Sequence, residues 1–304
     1  MSFPYLSDAV RALTGYNLPL PVPMFGILVA SAMLVAFGCF KRELRRLHRT
    51  GSIGMATVWV KGKDGVASAA IMAPQKVAFD LAVVVFVAGI VGARASHILE
   101  HTDQFLADPW GMTFTRSGLS IFGALIMGTF AGVLRVRQWA LPIRPVLDAA
   151  APAMMLGYVV GRLGCQISGD GDWGIAADMS FKPDWLPAWL WAQTYEHNAV
   201  GVLIPTPGVY PTPLYEASMS LVCFALLWSE RKHPHQSGWL FAMYLLLAGV
   251  ERLLIERIRI NPVLVVGRLH ATQAEIISVV FILLGVVGLL ASNSRRNGGV
   301  LERS

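Results

Sequence analysis

The chain has 304 residues, 55% hydrophobic and only 14% charged, where a soluble domain carries about 25% charged residues. That balance is too apolar for a soluble globular protein and reads as a multi-pass membrane protein. The net charge of +6 does not point to nucleic acid, because the basic residues sit in short blocks between apolar runs, as membrane topology requires. Three cysteines, Cys39, Cys165 and Cys223, are too few and too scattered for a disulfide framework or a metal site. No cleavable signal peptide, internal repeat or low-complexity tract is visible.

A membrane-spanning helix needs about 20 mostly apolar residues. In chain order, the first such run covers 21–40 and is followed by the basic block "KRELRRLHR". Residues 41–76 read as an inner basic loop, with "TGSIGMATVWVKGKDG" able to form a small hairpin. The second span covers 77–99, and the outer piece 100–116 contains "TDQFLADPWG", which suits the membrane interface. The third span, 117–134, leads into the basic "RVRQWALPIR", and the fourth covers 145–165. Residues 166–211 form the largest outer connection, a small head rich in Trp, Tyr and Pro, including "WLPAWLWAQTYEHN"; aromatic residues of this kind favour the headgroup level. The fifth span, 212–228, precedes "SERKHPHQ", the sixth covers 237–256, an outer piece 257–270 follows, and the seventh, 271–291, ends in "SNSRRNGG". Every second connection is rich in Lys and Arg. By the positive-inside rule the N-terminus lies outside and the C-terminus inside. The expected fold is all-α: one integral membrane domain over 1–304, with about seven transmembrane helices and the 166–211 head inserted on the outer face.

Ionisable groups within such spans are costly and usually functional. They are Arg94 in "GARASHILE", Arg162 in "GRLGCQISGDGDWG", Glu216 in "TPLYEAS", and Arg252, Glu256 and Arg259 in "GVERLLIERIRI". At about 1.5 Å per residue, Arg94 and Arg162 lie roughly 25 Å, and Arg252 roughly 22 Å, from the inner ends of their spans. Three arginines thus share a level in the outer half, with Tyr215 and Glu216 entering nearby from outside. Arg252, Glu256 and Arg259 are spaced i, i+4, i+7 and share a helix face, so Glu256 can pair with either arginine. The plain alternative is that these charges snorkel to the interface; three at one level with acidic partners argue against it. Guanidinium groups suit phosphate because they are planar, bidentate and always charged. The anion available at that depth is a phospholipid headgroup. The turn "SGDGDWG" then sets Ser168, Asp170 and Asp172 beside Arg162, although Asp and Gly are common in solvated turns as well. His97 and His270 lie near outer ends of spans and read as interfacial.

The assembled pattern resembles the prolipoprotein diacylglyceryl transferase family. Its signature reads roughly G-R-x-G-N-F-x-N-G-E-x-x-G, of which the chain keeps Gly161, Arg162, Gly164, Gly169 and Gly174 with one extra residue. "DQFLADPW" before "SGLSIFGALIMG" is similar to the segment preceding the family's glycine-rich third span. "YPTPLYEA" is similar to H-P-x-x-L-Y-E through Pro213, Leu214, Tyr215 and Glu216. "ERLLIERIR" is similar to F-R-x-x-x-E-x-x-R through Arg252, Glu256 and Arg259, and "ATQAEIIS" to M-G-Q-x-x-S through Gln273 and Ser278. The chain departs from the family at several positions: Phe122 stands for its third-span His, Phe25 for its first-span Tyr, and Cys165 and Ser168 for its two Asn, while its Glu corresponds to Asp170 or Asp172.

The resemblance implies a bacterial inner-membrane enzyme with no cofactor and no metal. It moves the diacylglyceryl group of phosphatidylglycerol to the lipobox cysteine of a preprolipoprotein, so its partners are that lipid, that peptide and the surrounding membrane lipids, without nucleic acid. It further implies that Arg162 and Arg252 stabilise the departing phosphate, and that Arg94, Arg259, Glu256, Tyr215, Glu216, Ser168, Gly174 and Gln273 hold substrate. With Phe122 in place of the His, removal of the thiol proton falls to Asp170 or Asp172, or to the arginine field. A covalent role for Cys165 is less favoured than packing. Three other functions stay open: a lipid transporter, which the absence of a repeat between halves disfavours; a related transferase with another acceptor; and a structural membrane protein.

Overall fold

A computed structural model describes residues 2–17, 19–20, 22–61, 67–114, 120–261, 263–266 and 269–301. The chain is mostly helical. Its elements are α1 (Leu6–Thr14), α2 (Met24–Arg49), β1 (Ala56–Lys61), β2 (Ala67–Met72), α3 (Ala78–Glu100), α4 (Thr102–Ala107), α5 (Pro109–Phe114), α6 (Ile121–Gln138), α7 (Ile143–Ser168), α8 (Ala188–Trp191), α9 (Thr212–Glu230), α10 (Trp239–Glu256), β3 (Val263–Val266), β4 (Leu269–Thr272) and α11 (Gln273–Leu301). Each of the seven predicted apolar segments falls on a helix. Four of these helices, α2, α3, α7 and the 273–292 part of α11, are long and apolar enough to cross a membrane by length and composition.

The helices differ from expectation at their ends. α2 does not stop at residue 40; "KRELRRLHR" continues it to Arg49, and Glu43 on that stretch is buried and pairs with Arg46 one turn on, at 2.8 Å. The basic block is therefore helix, not loop. Beyond it, β1 and β2 form the antiparallel hairpin, in register from Ala56 opposite Met72 to Lys61 opposite Ala67. A second antiparallel hairpin, β3–β4, pairs Val263 with Thr272 and Val266 with Leu269, in a segment expected to be a simple connection.

Residues 1–39 with 150–304 form one compact unit and residues 40–149 another. In the first, α10 packs on α11 where Gly249 faces the Ser278 carbonyl, which a Cβ would approach to 2.7 Å. Small residues that let backbones approach are how helices pack where no hydrophobic drive exists between them. The first half of α2 lies against α7, with Ala36 and Leu28 each 3.1 Å from where Gly157 and Gly164 would carry a Cβ. Ala151 and Met155 of α7 close a core with Cys223, Leu227 and Leu240. Residues 169–211 wind through short bridges, Ala176 and Gln193 both pairing with Val209, around buried Tyr195, Ile204 and Val209. The chain start is tied to this segment, Ser2 N donating to Glu196 O at 3.3 Å and Phe3 N to Ile167 O at 2.7 Å. In the second unit, α3 and α6 meet where Gly92 and Gly123 face each other's carbonyls with no room for a Cβ on either.

Candidate active site

The charged residues of the first unit converge on one carboxylate. Glu216 stands one turn into α9 and is fully buried. Its Oε2 accepts from the Tyr158 hydroxyl at 2.5 Å and lies 2.5 Å from Arg162 Nε; its Oε1 accepts from Arg259 Nη1 at 2.7 Å and lies 3.6 Å from Arg252 Nη1. Tyr158 and Arg162 are one turn apart on α7, so their side chains share a face; the guanidinium sits 4.9 Å from the Tyr158 ring centre. Arg252 and Glu256 pair along α10 at 2.9 Å. Glu256 is further held by Asn261, at 2.8 and 2.9 Å, and by the Thr272 hydroxyl at 2.5 Å.

Asp172 closes the cluster from the other side. Its Oδ2 pairs with Arg162 Nη1 and its Oδ1 with Arg259 Nη2, the latter at 2.6 Å. Backbone contacts fix the turn that carries it. Thr212 Oγ1 donates to Asp172 O at 2.7 Å, Gly174 N to Tyr210 O at 2.9 Å, and Ile175 N to Ile258 O at 2.9 Å. Gly174 is required here, since a Cβ would come within 2.5 Å of the Ile258 carbonyl. Burial works against ionisation of Asp172, yet the Arg162 and Arg259 guanidiniums hold its carboxyl below the usual range.

Three guanidiniums thus face three carboxylates, Asp172, Glu216 and Glu256. The cluster is neutral as a set. An anion would be met by donors the carboxylates leave over: Arg252 Nη1 and Arg259 Nε are buried without an acceptor, and Arg162 Nε faces Glu216 without hydrogen-bond alignment. An oriented array of such donors suits an anion.

Of the residues singled out in the sequence, Arg162, Asp172, Glu216, Arg252, Glu256 and Arg259 come together. The others lie elsewhere. Asp170 accepts from Asp172 N at 3.3 Å and its carboxylate is near the Cys165 thiol. Burial pushes Asp170 above the usual range against the hydrogen bond from Cys165, with Asp172 adding to the rise. Ser168 is buried and its hydroxyl bonds back to Gly164 O at 2.8 Å, so it closes the end of α7. Tyr215 turns its hydroxyl to Leu190 O at 2.6 Å, and Gln273 is exposed at the start of α11. Arg94 belongs to the 40–149 unit, where Nη1 donates to Met112 O at 3.2 Å. Phe122 lies on α6 in that same unit, and Phe25 on α2 lies 3.7 Å from where Gly164 would carry a Cβ. The His270 side chain is outside the described residues, although its backbone lies on β4.

Tyr158, Asn261 and Thr272 were not legible beforehand. Tyr158 alone had a signal, its i, i+4 spacing to Arg162. Beside the cluster, Gln166, one turn past Arg162, lines a cavity of about 400 Å³ with Trp189, Ala192, Gln193, Thr194 and Pro207.

Residues 14–291 match the family model described as prolipoprotein diacylglyceryl transferase. A Corynebacterium glutamicum protein is 30% identical over 206 residues, covering 63% of this chain and 62% of its own length. One from Leptospira interrogans is 34% identical over 154 residues, 50% of this chain and 45% of its own. One from Synechococcus elongatus is 27% identical over 279 residues, 90% of this chain and 84% of its own. All three are named phosphatidylglycerol–prolipoprotein diacylglyceryl transferase. The chain spans less than two thirds of the length of the first two relatives. The matched region contains the whole arginine–carboxylate cluster, and the chain belongs to the prolipoprotein diacylglyceryl transferase family.

Proposed function

We propose that the protein transfers the diacylglyceryl group of phosphatidylglycerol to the thiol of a lipobox cysteine in a preprolipoprotein. The observation that carries this reading is the convergence of Arg162, Arg252 and Arg259 on Glu216, at 2.5 to 3.6 Å, with donors left over. In the reaction the thiol gives up its proton and the sulfur attacks the glyceryl carbon that bears the phosphate ester. That carbon–oxygen bond breaks, its electron pair leaves with glycerol phosphate, and a thioether remains. Arg162 and Arg252 stabilise the charge on the leaving phosphate, and Arg259 holds it in register. Asp172 already occupies the bidentate place between Arg162 and Arg259, so a phosphate that takes this place displaces it. The nearby Gly169 and Gly171 adopt positive φ, 63° and 101°, which lets the chain turn tightly there.

Among the described residues, the proton acceptor left beside the cluster is Asp170. Asp172 is held by two guanidiniums, whereas Asp170 has a raised affinity for a proton and faces Cys165. Tyr215, Glu216, Glu256, Ser168, Gly174 and Gln273 act in substrate binding or in shaping the site. All seven long helices cross a bacterial inner membrane, the N-terminus lies outside, and the 166–211 segment forms an outer head with its cavity open to the peptide. Phe122 and Phe25, standing where the resemblance expects His and Tyr, favour one second reading: the same lipid chemistry toward a different acceptor.

Purified protein mixed with labelled phosphatidylglycerol and a lipobox peptide tests both. Thioether-linked product from the wild type, lost in Arg162→Ala and Arg252→Ala, supports the transferase. Consumption of the lipid without peptide product points to another acceptor. Neither product nor lipid consumption sinks the proposal.

A further inference from the structure

The last turn of α3 and its C-cap carry the order His97-Ile-Leu-Glu100-His101, an H-x-x-E-H spacing whose two His bind zinc, with the Glu as general base, in some metallopeptidases; here the Glu is placed as a third ligand. Residues i, i+3 and i+4 face the same way, and one ligand atom from each of His97, Glu100 and His101 lies within 4.8 Å of the others. The two imidazole rings are 4.5 Å apart, centre to centre. From these residues we infer a divalent transition-metal site, selective for zinc over magnesium or calcium, at the end of α3.

Four features support it. First, the nitrogen that would bind is defined: Nδ1 of His101 reaches the His97 carbonyl at 3.2 Å. A carbonyl only accepts, so Nδ1 carries the proton and Nε2 keeps its lone pair. Metal-binding imidazoles are typically oriented by such a bond from the other nitrogen. Second, Glu100 is oriented as well, its Oε1 accepting from Ser120 Oγ at 2.6 Å, which leaves Oε2 for an ion. Third, α3 ends at Glu100, and the C-terminal end of a helix favours a cation. Fourth, two imidazoles and a carboxylate are the ligand set of zinc, which leaves a fourth place for water. Tetrahedral zinc at about 2.0–2.1 Å from each ligand needs them about 3.4 Å apart, so atoms now within 4.8 Å of one another close by up to about 1.4 Å as the ion binds.

A second His–Glu–His group, Glu230, His233 and His235, does not share these features. Nδ1 of His233 and Nε2 of His235 each lie 3.0 Å from the same Glu230 oxygen, and His235 stacks on Trp239 at 3.7 Å. One oxygen of its carboxylate is already engaged by both of its own imidazoles. It therefore serves as the internal control.

Tag-free, full-length protein in detergent would be titrated with Zn²⁺ by calorimetry, and its bound zinc counted after desalting. One equivalent should disappear in the His97→Ala/His101→Ala double variant, and also in His101→Ala alone, where the altered residue is exposed and the fold is spared. Glu100→Gln should weaken that binding by ~10-fold or more. His233→Ala/His235→Ala should leave it unchanged. The site is overturned if wild-type protein retains no zinc, if the double variant keeps its full complement, or if the loss follows the His233 and His235 changes instead.

Discussion

Glu216 is completely buried, and the guanidiniums of Arg162, Arg252 and Arg259 all lie within 3.6 Å of it. Removing one partner of a buried charge network leaves the others uncompensated, which typically costs about 3–5 kcal/mol. Glu216→Gln should therefore lower the thermal unfolding midpoint in detergent sharply. Glu251 is the comparison. It is also buried, but it accepts from the Ser220 hydroxyl, at 2.5 Å, and no guanidinium lies within 4 Å of it among the described residues. Glu251→Gln keeps a hydrogen bond to Ser220 and should change stability by about 1 kcal/mol or less. If both variants unfold alike, the arginines do not depend on Glu216 for charge balance. The turn aspartates give a pH test. Asp170 binds its proton more tightly than an ordinary aspartate, and Asp172 less tightly. As a base, Asp170 works only when ionised, so the transfer rate should rise with pH through a value above the ordinary Asp pKa of about 3.9. Asp170→Asn should abolish that acid limb, whereas an unchanged profile would remove Asp170 from the reaction. For Asp172 the sign is opposite. Its folded-state pKa is depressed, so its ion pairs stabilise the fold above the unfolded value and the gain is lost as pH falls through the folded value. The ionisable members of the cluster were legible because charges inside apolar runs are costly and stand out. Tyr158, Asn261 and Thr272 were not, because a neutral hydrogen-bonding residue carries no such signal. The choice between Asp170 and Asp172 was also beyond the sequence, since alternating glycines let either side chain turn toward Arg162.

At the scale of elements, apolar periodicity located the helices and charge misplaced one end. Lys and Arg after residue 40 read as the close of a span, but they are good helix formers, and the Glu43–Arg46 pair continues α2. The β3–β4 hairpin was missed because "VLVV" is a short apolar run that periodicity alone does not assign. Its consequence is functional: it ends at Thr272, whose hydroxyl both bonds Glu256 and accepts from Glu275 N at 3.1 Å, while Glu275 Oε2 accepts from Thr272 N at 2.9 Å. That reciprocal cap fixes the start of α11 against the cluster. Glycines divide in the same way. Gly249 sits against the Ser278 carbonyl, whereas a Cβ at Gly161 would meet nothing within 4 Å. Gly249→Leu should destabilise by about 1–3 kcal/mol through overpacking, and Gly161→Ala should stabilise by about 0.5–1 kcal/mol through helix propensity. Thermal unfolding of the two variants side by side checks this; a neutral Gly249→Leu would mean that α10 and α11 do not approach so closely.

For the whole molecule, the topology turns on the three shorter of the seven long helices. α2, α3, α7 and α11 are long and apolar enough by length and composition, while α6, α9 and α10 have 18, 19 and 18 residues. At 1.5 Å per residue, 18 residues reach about 27 Å, slightly short of a hydrocarbon core of about 30 Å. A deficit of that size costs fractions of a kcal/mol per Å and is met by local thinning or by snorkelling of flanking residues. Packing also favours crossing: α9 and α10 bury Cys223, Leu227 and Leu240 against α7, and the costly Glu216, Arg252 and Glu256 are compensated only when these helices stand side by side. The proposed topology therefore puts the 166–211 segment outside, the 231–238 turn inside, and the segment after α10 outside again. Trp185, His233 and Ile260 mark these three places and are 80%, 60% and 63% exposed, while the three native cysteines are buried and give little background. Each marker would be changed to Cys in turn and treated with a membrane-impermeant maleimide on intact cells. Trp185→Cys and Ile260→Cys should label directly, and His233→Cys only after the membrane is opened. Labelling of all three from outside would mean that α9 and α10 re-enter without crossing, and the basic loop between them would then have misled the orientation.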